Sequence, residues 1–99
     1  MRAGQNFIPA RQKATMGLAL IKEAILDHLE THKDTGLRNA DLARDLGLES
    51  DHEGQQKDYL TYSILGLLLR ECEVDKIKRG AKTFYVRAIA ANRARPTPL

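Results

Sequence analysis

The apolar residues of this chain change their period once, and that change constrains the fold more than any other feature. Ala14, Leu18, Ile21, Ile25 and Leu29 recur at helical spacing, and Leu20, Ala24 and Leu26 widen the stripe. This predicts a first helix from Ala14 to Lys33, packed on more than one side. Asp34-Thr35-Gly36 reads as the turn that ends it, and Leu37-Arg38 is too short for more than one extended contact. Asn39 is a good N-cap for a second helix over Ala40 to Leu46, which Gly47 stops. Leu48 to Gly54 is polar, acidic and turn-like. A third helix is expected from about Gln55 to Glu73, with Leu60, Ile64, Leu67 and Leu68 toward the core. After that the period shortens. Val74 with Ile77, then Phe84-Tyr85-Val86, mark two strands of a hairpin whose turn is Arg79-Gly80-Ala81.

The expected order is therefore a loose arm over residues 1–13, three helices and a hairpin over 14–87, and a tail over 88–99. The tail can form a short helix from Ala88 to Arg95, which Pro96 ends. Ninety-nine residues make one domain, mainly α with a small β-hairpin. No apolar run approaches the ~20 residues of a membrane span, and residues 1–14 lack the apolar core of a secretory signal. One cysteine, Cys72, cannot form an internal disulfide, which points to a reducing, cytoplasmic setting.

Charge is partitioned along the chain. Residues 1–22 hold four bases and no acid, residues 23–75 five bases and thirteen acids, and residues 76–99 seven bases and no acid, for a net +3. Two basic ends around an acidic middle suit contact with a polyanion through the ends, although solubilising charge is the competing reading.

Gly36-Leu37-Arg38-Asn39-Ala40-Asp41-Leu42-Ala43-Arg44-Asp45-Leu46-Gly47-Leu48 resembles the opening of a winged helix-turn-helix domain, a short strand followed by the first helix of the pair. Leu67-Leu68-Leu69-Arg70, leading to Val74, Ile77 and Gly80, then Phe84-Tyr85-Val86, resembles the end of the recognition helix and the two-stranded wing. The resemblance covers roughly Ala14 to Arg87. It implies a three-helix core plus wing and a role in DNA binding or in protein docking, since the family contains both. Residues 47–54 depart from it, being longer than the usual turn between the motif helices. This stretch and the third helix also resemble winged-helix modules associated with restriction systems.

Three groups of residues are candidates for contact with duplex DNA. In the wing, Lys76, Lys78, Arg79 and Lys82 surround the turn at Gly80, with Arg87 just beyond. Cations on a projecting loop reach phosphates or a minor groove, unless they serve only to keep an edge hairpin from aggregating. On the third helix, Gln55, Tyr59 and Tyr62 fall away from the expected core, with Lys57 nearby and Thr61 and Ser63 at the margins. Gln can read adenine, and the hydroxyls can reach phosphate. Against this, Asp58 and the preceding Glu49, Asp51 and Glu53 repel phosphate. Leu65 and Leu69 also drift to the same side, which suits a protein partner or a second copy better than a groove. The third group is terminal: Arg2, Arg11 and Lys13 before the first helix and Arg93 and Arg95 after the wing.

The sequence supports neither catalysis nor a cofactor. His28 and His32 are four apart on a helix, a spacing that can hold a metal, with His52 and Cys72 as further candidates, but no zincin glutamate or Cys-x-x-Cys accompanies them. Glu71 and Glu73 flank Cys72 and disfavour an activated nucleophile. The expected function is a non-catalytic DNA-binding regulator, plausibly a homodimer with the first helix or the tails as its interface. The alternative is a docking module, an accessory to a larger partner in a restriction or other DNA-processing system.

Overall fold

The computed structural model describes residues 8–52 and 54–89 of the chain. Helix α1 runs Ala10–Glu30 and α2 Asn39–Asp45. A two-residue strand pair follows, β1 Asp51–His52 and β2 Gln55–Gln56, then helix α3 Tyr59–Arg70. The chain finishes in a hairpin of β3 Val74–Arg79 and β4 Lys82–Arg87. Three helices followed by an antiparallel hairpin is the expected order.

The core forms where the three helices and the hairpin converge. Ile25 and Leu29 of α1, Leu42 of α2, Ile64, Leu65 and Leu68 of α3, Val74 of β3 and Tyr85 of β4 are all buried in one cluster. Ion pairs join the helices at its rim. Lys22 of α1 meets Glu71 beyond α3 at 2.7 Å, and His28 of α1 meets Asp45 of α2 at 2.9 Å.

The hairpin pairs Val74 with Arg87 through to Arg79 with Lys82. That register leaves a two-residue turn in which Gly80 takes φ +64°, a conformation that suits glycine in tight hairpin turns. A second tie holds the hairpin from its other edge. Leu37 and Tyr85 exchange both backbone hydrogen bonds, at 3.0 and 2.8 Å, in a lone bridge. This is the single extended contact expected of Leu37-Arg38. Gly36 makes it possible: its φ is +74°, and a Cβ there would lie 2.9 Å from the Tyr85 carbonyl oxygen.

Helices α2 and α3 end in the same cap. After α2 the Leu48 N–H donates to Ala43 and the Gly47 N–H to Arg44, with Gly47 at φ +70°. After α3 the Glu73 N–H donates to Leu68 and the Cys72 N–H to Leu69, with Cys72 at φ +62°. Both patterns are Schellman motifs, and the second is made without glycine.

Several expected boundaries move. Helix α1 begins at Ala10, directly after Pro9, so Arg11 and Lys13 lie on a helix and not on an arm. Its first half is also less central than the apolar stripe predicts. Ala14 is exposed, Leu18 and Ile21 are only half-buried, and Leu20 is 65% exposed. Asn39 is not the cap of α2 but its first helical residue; Arg38 holds the cap position, and its N–H donates to the Asp41 carboxylate at 3.2 Å. The Asn39 amide donates to the Asp58 carbonyl at 3.2 Å instead, tying α2 to the start of α3. The long link between α2 and α3 is a small hairpin, not a plain turn. Gln55 and Lys57 therefore precede α3, which starts four residues later than expected. Ala88 and Ile89 are not helical. Arg2, Arg93, Arg95, the rest of the expected tail helix and the His52 side chain lie outside the described residues.

Candidate nucleic-acid interface

The start of α3 is set by one aspartate. Asp58 adopts a left-handed conformation, φ 53° and ψ 42°, and is buried at 5% exposure. Its Oδ1 accepts from the Ser50 N–H at 3.3 Å, closing the base of the β1–β2 hairpin. Its carbonyl accepts from the Asn39 amide, the Tyr62 N–H and the Thr61 hydroxyl. The carboxylate expected to repel phosphate is thus turned inward and bonded to the backbone.

This anchoring fixes the rotation of α3, and the rotation differs from the expected one by about one position. Thr61, Ile64, Leu65 and Leu68 face the core, whereas Leu60 is 43% exposed and Leu67 half-buried. Thr61 therefore cannot reach a phosphate: it is fully buried, with its hydroxyl satisfied at 3.1 Å by Asp58. Leu65 is not available to a partner, because it too is fully buried. Leu69 is half-buried and packs against the same core. The shift has a plain cause. Six of the ten residues from Leu60 to Leu69 are aliphatic, so apolar spacing alone permits two neighbouring rotations. The Thr61 hydroxyl bond decides between them.

The exposed ridge of α3 carries Tyr59, Ser63, Gly66 and Arg70, with Tyr62 on its flank. Tyr59 and Tyr62 are 54% and 61% exposed. Arg70 escaped the sequence reading because it was assigned only to the helix end; its spacing from Tyr59, Ser63 and Gly66 was the available signal. A Cβ on Gly66 would touch nothing within 4 Å. No packing inside the described chain calls for glycine there, although glycine in a helix interior costs about 1 kcal/mol relative to alanine.

The wing divides its bases between its two faces. Strand alternation and register put Val74, Lys76 and Lys78 on one face with Thr83, Tyr85 and Arg87. Asp75, Ile77 and Arg79 share the other with Lys82, Phe84 and Val86. The first face adjoins α3: Val74 and Tyr85 are buried in one cluster with Ile64, Leu65 and Leu68, and burial raises the Tyr85 hydroxyl pKa, with Tyr62 raising it further.

Lys76, Lys78 and Lys82 are exposed. The two arginines expected beside them are engaged within the fold. Arg79 donates to the Thr35 carbonyl and lies 4.7 Å from the centre of the Phe84 ring. Arg87 is half-buried and sits 3.6 Å from Glu30. Gln55 and Lys57 are exposed on the link before α3.

The histidine pair serves helix packing. The His28 and His32 rings meet edge to face at 4.9 Å, and His28 Nε2 bonds Asp45. Among the described residues no group of three or more metal-ligating side chains comes together, and no helix is long and apolar enough to cross a membrane. Comparison with protein-family models, curated proteins and solved structures gives no match to this chain.

Proposed function

We propose that this chain is a winged-helix module that binds duplex DNA without catalysis, as a cytoplasmic regulator of transcription. Lys76 and Lys78 grip phosphates, Lys82 reaches a further one from the wing tip, and the α3 ridge faces the groove. The observation that carries this reading is that Lys76 and Lys78 share a hairpin face with Val74 and Tyr85, which pack in one cluster with α3, while Asp58 is turned inward. Lysines, tyrosines and a serine then share one side of the molecule, a composition suited to backbone contact with limited base readout. Gly66 on the same ridge leaves room for close approach.

Arg79 and Arg87 brace the wing rather than contact DNA, because each already has a partner. A docking role is the second reading, and the exposure of Leu60 beside Tyr59 favours it, since both are apolar surfaces on α3.

The test is fluorescence anisotropy of a labelled random duplex across a series of salt concentrations. Wild type should bind more weakly as salt rises, with a slope of about 0.9 per phosphate contacted. Lys76→Glu with Lys78→Glu should lower that slope by about 2 and leave the fold intact by circular dichroism. Lys33→Glu, in the turn that follows α1, should leave it unchanged. No binding at low salt, or a slope indifferent to the double substitution, overturns the proposal.

A further inference from the structure

Among the described residues, the first half of α1 meets the core only through the partly buried Leu18. Of the 21 residues of α1 only Ile25 and Leu29 are buried, both in the second half. Its start has no side-chain cap and no acid in the first turn. A free helical stretch of about ten residues is marginal in water, so these turns call for a covering surface. Met16 and Leu20 point away from the core, 46% and 65% exposed, and belong to the same outward face as Lys13, Glu23 and Asp27. Gly17, at the edge of that face, would meet nothing within 4 Å if it carried a Cβ, so no contact inside the described chain requires its small size.

We infer that this face binds a second copy of the chain, with the two α1 helices packed antiparallel across Met16 and Leu20. Charge selects this occupant. The helix is basic in its first half, at Arg11 and Lys13, and acidic in its second, at Glu23, Asp27 and Glu30, where Lys22 is taken up by Glu71. Antiparallel copies crossing between Met16 and Leu20 bring Lys13 of each opposite Glu23 or Asp27 of the other. They also oppose the helix dipoles favourably. A parallel pair would set like charge against like. The chain's own ends are poor substitutes, since residues 1–7 and 90–99 carry arginines and no acid and would meet the basic half. A two-fold contact of this kind is self-complementary, as a closed dimer requires. The inference does not rest on DNA binding.

Sedimentation velocity of the full chain over a range of concentrations tests it. Wild type should move reversibly between monomer and dimer. Leu20→Glu should weaken association about tenfold or more by placing a charge in an apolar contact, with an unchanged circular dichroism spectrum, since Leu20 makes no core contact. Lys13→Glu should also weaken association, and Lys13→Glu combined with Glu23→Lys and Asp27→Lys should restore it. A wild type monomeric at every concentration overturns the inference. So does a dimer indifferent to Leu20→Glu, or a charge-swapped variant no tighter than Lys13→Glu alone.

Discussion

Gly36→Ala isolates the contact by which the hairpin is tied to the helices. Two costs arise at this position. The backbone stands at φ +74°, and a residue with a Cβ in that region costs about 1–2 kcal/mol. The added carbon would also lie 2.9 Å from the Tyr85 carbonyl oxygen and 3.0 Å from Val86 Cγ1. The oxygen belongs to backbone that receives the Leu37 N–H, so relief requires the bridge itself to open. Losing its two hydrogen bonds adds about 1–3 kcal/mol, at about 0.5–1.5 each. Alanine also reduces the freedom of the unfolded chain, which returns about 0.4–1 kcal/mol. The net expectation is a loss of about 2–4 kcal/mol, a large share of the stability of a domain this size.

Gly47→Ala is the control. Gly47 has nearly the same φ, +70°, but a Cβ there meets nothing within 4 Å, so it should carry the backbone cost alone, about 1 kcal/mol. Urea unfolding followed by circular dichroism reads both. The midpoint of Gly36→Ala should fall at least about twice as far as that of Gly47→Ala, with similar slopes. Equal shifts would mean that Gly36 is required only for its dihedral angle. The tie between Leu37 and Tyr85 would then contribute nothing beyond the turn.

Leu65→Ala should cost about 2–5 kcal/mol and Leu60→Ala less than about 1, because only Leu65 is fully buried; the reverse ranking in urea unfolding would refute the rotation of α3. Gly66→Ala should raise stability by about 1 kcal/mol yet weaken duplex binding in the anisotropy assay, and unchanged binding would remove the helix ridge from the interface. The hydrogen bond from His28 holds the Asp45 carboxyl below the ordinary aspartate range, against the opposing pull of burial and with further help from Arg44. A carboxyl depressed on folding contributes stability above its unfolded pKa, which is lost as pH falls through the folded one, so acid should weaken the α1–α2 contact below about pH 4. In His28→Ala the Asp45 carboxyl, followed by NMR, should titrate at higher pH, and an unmoved titration would refute the role of the bond.

Element order was legible because the apolar period changes from helical to strand-like at Val74, and because Gly36, Gly47 and Gly80 stand where the chain turns with positive φ. The hairpin was legible for the same reason, except that Arg79, expected in its turn, closes β3 instead. What escaped were choices made by polar atoms. The rotation of α3 depends on a threonine hydroxyl reaching a carbonyl three residues back, and apolar spacing carries no trace of that bond. The small hairpin before α3 depends on Asp58, itself in a left-handed conformation that asparagine, aspartate or glycine can adopt, accepting from the Ser50 N–H. Nothing local distinguishes such an aspartate from a solvent-facing one. Arg79 and Arg87 looked like their lysine neighbours in sequence, and only tertiary contact separates bracing cations from exposed ones.

The acidic middle of the chain also changes meaning once its partners are known. Read along the sequence, thirteen acids between two basic ends look like a surface that repels DNA. In the fold, Asp41 bonds Arg38, Asp45 bonds His28 and Arg44, Glu71 bonds Lys22, Glu30 meets Arg87, and Asp58 caps backbone. Of these, Glu71, Asp45 and Glu30 join α1 to the end of α3, to α2 and to β4, and Asp41 stays within α2 and its cap. The bases left exposed after that internal pairing include Lys57, Lys76, Lys78 and Lys82, which stand on or beside the wing and the start of α3. The linear pattern therefore misplaces the acid: these carboxylates face bases or backbone of the fold, and among the described residues Glu49 and Asp75 are the exposed acids closest in sequence to these lysines.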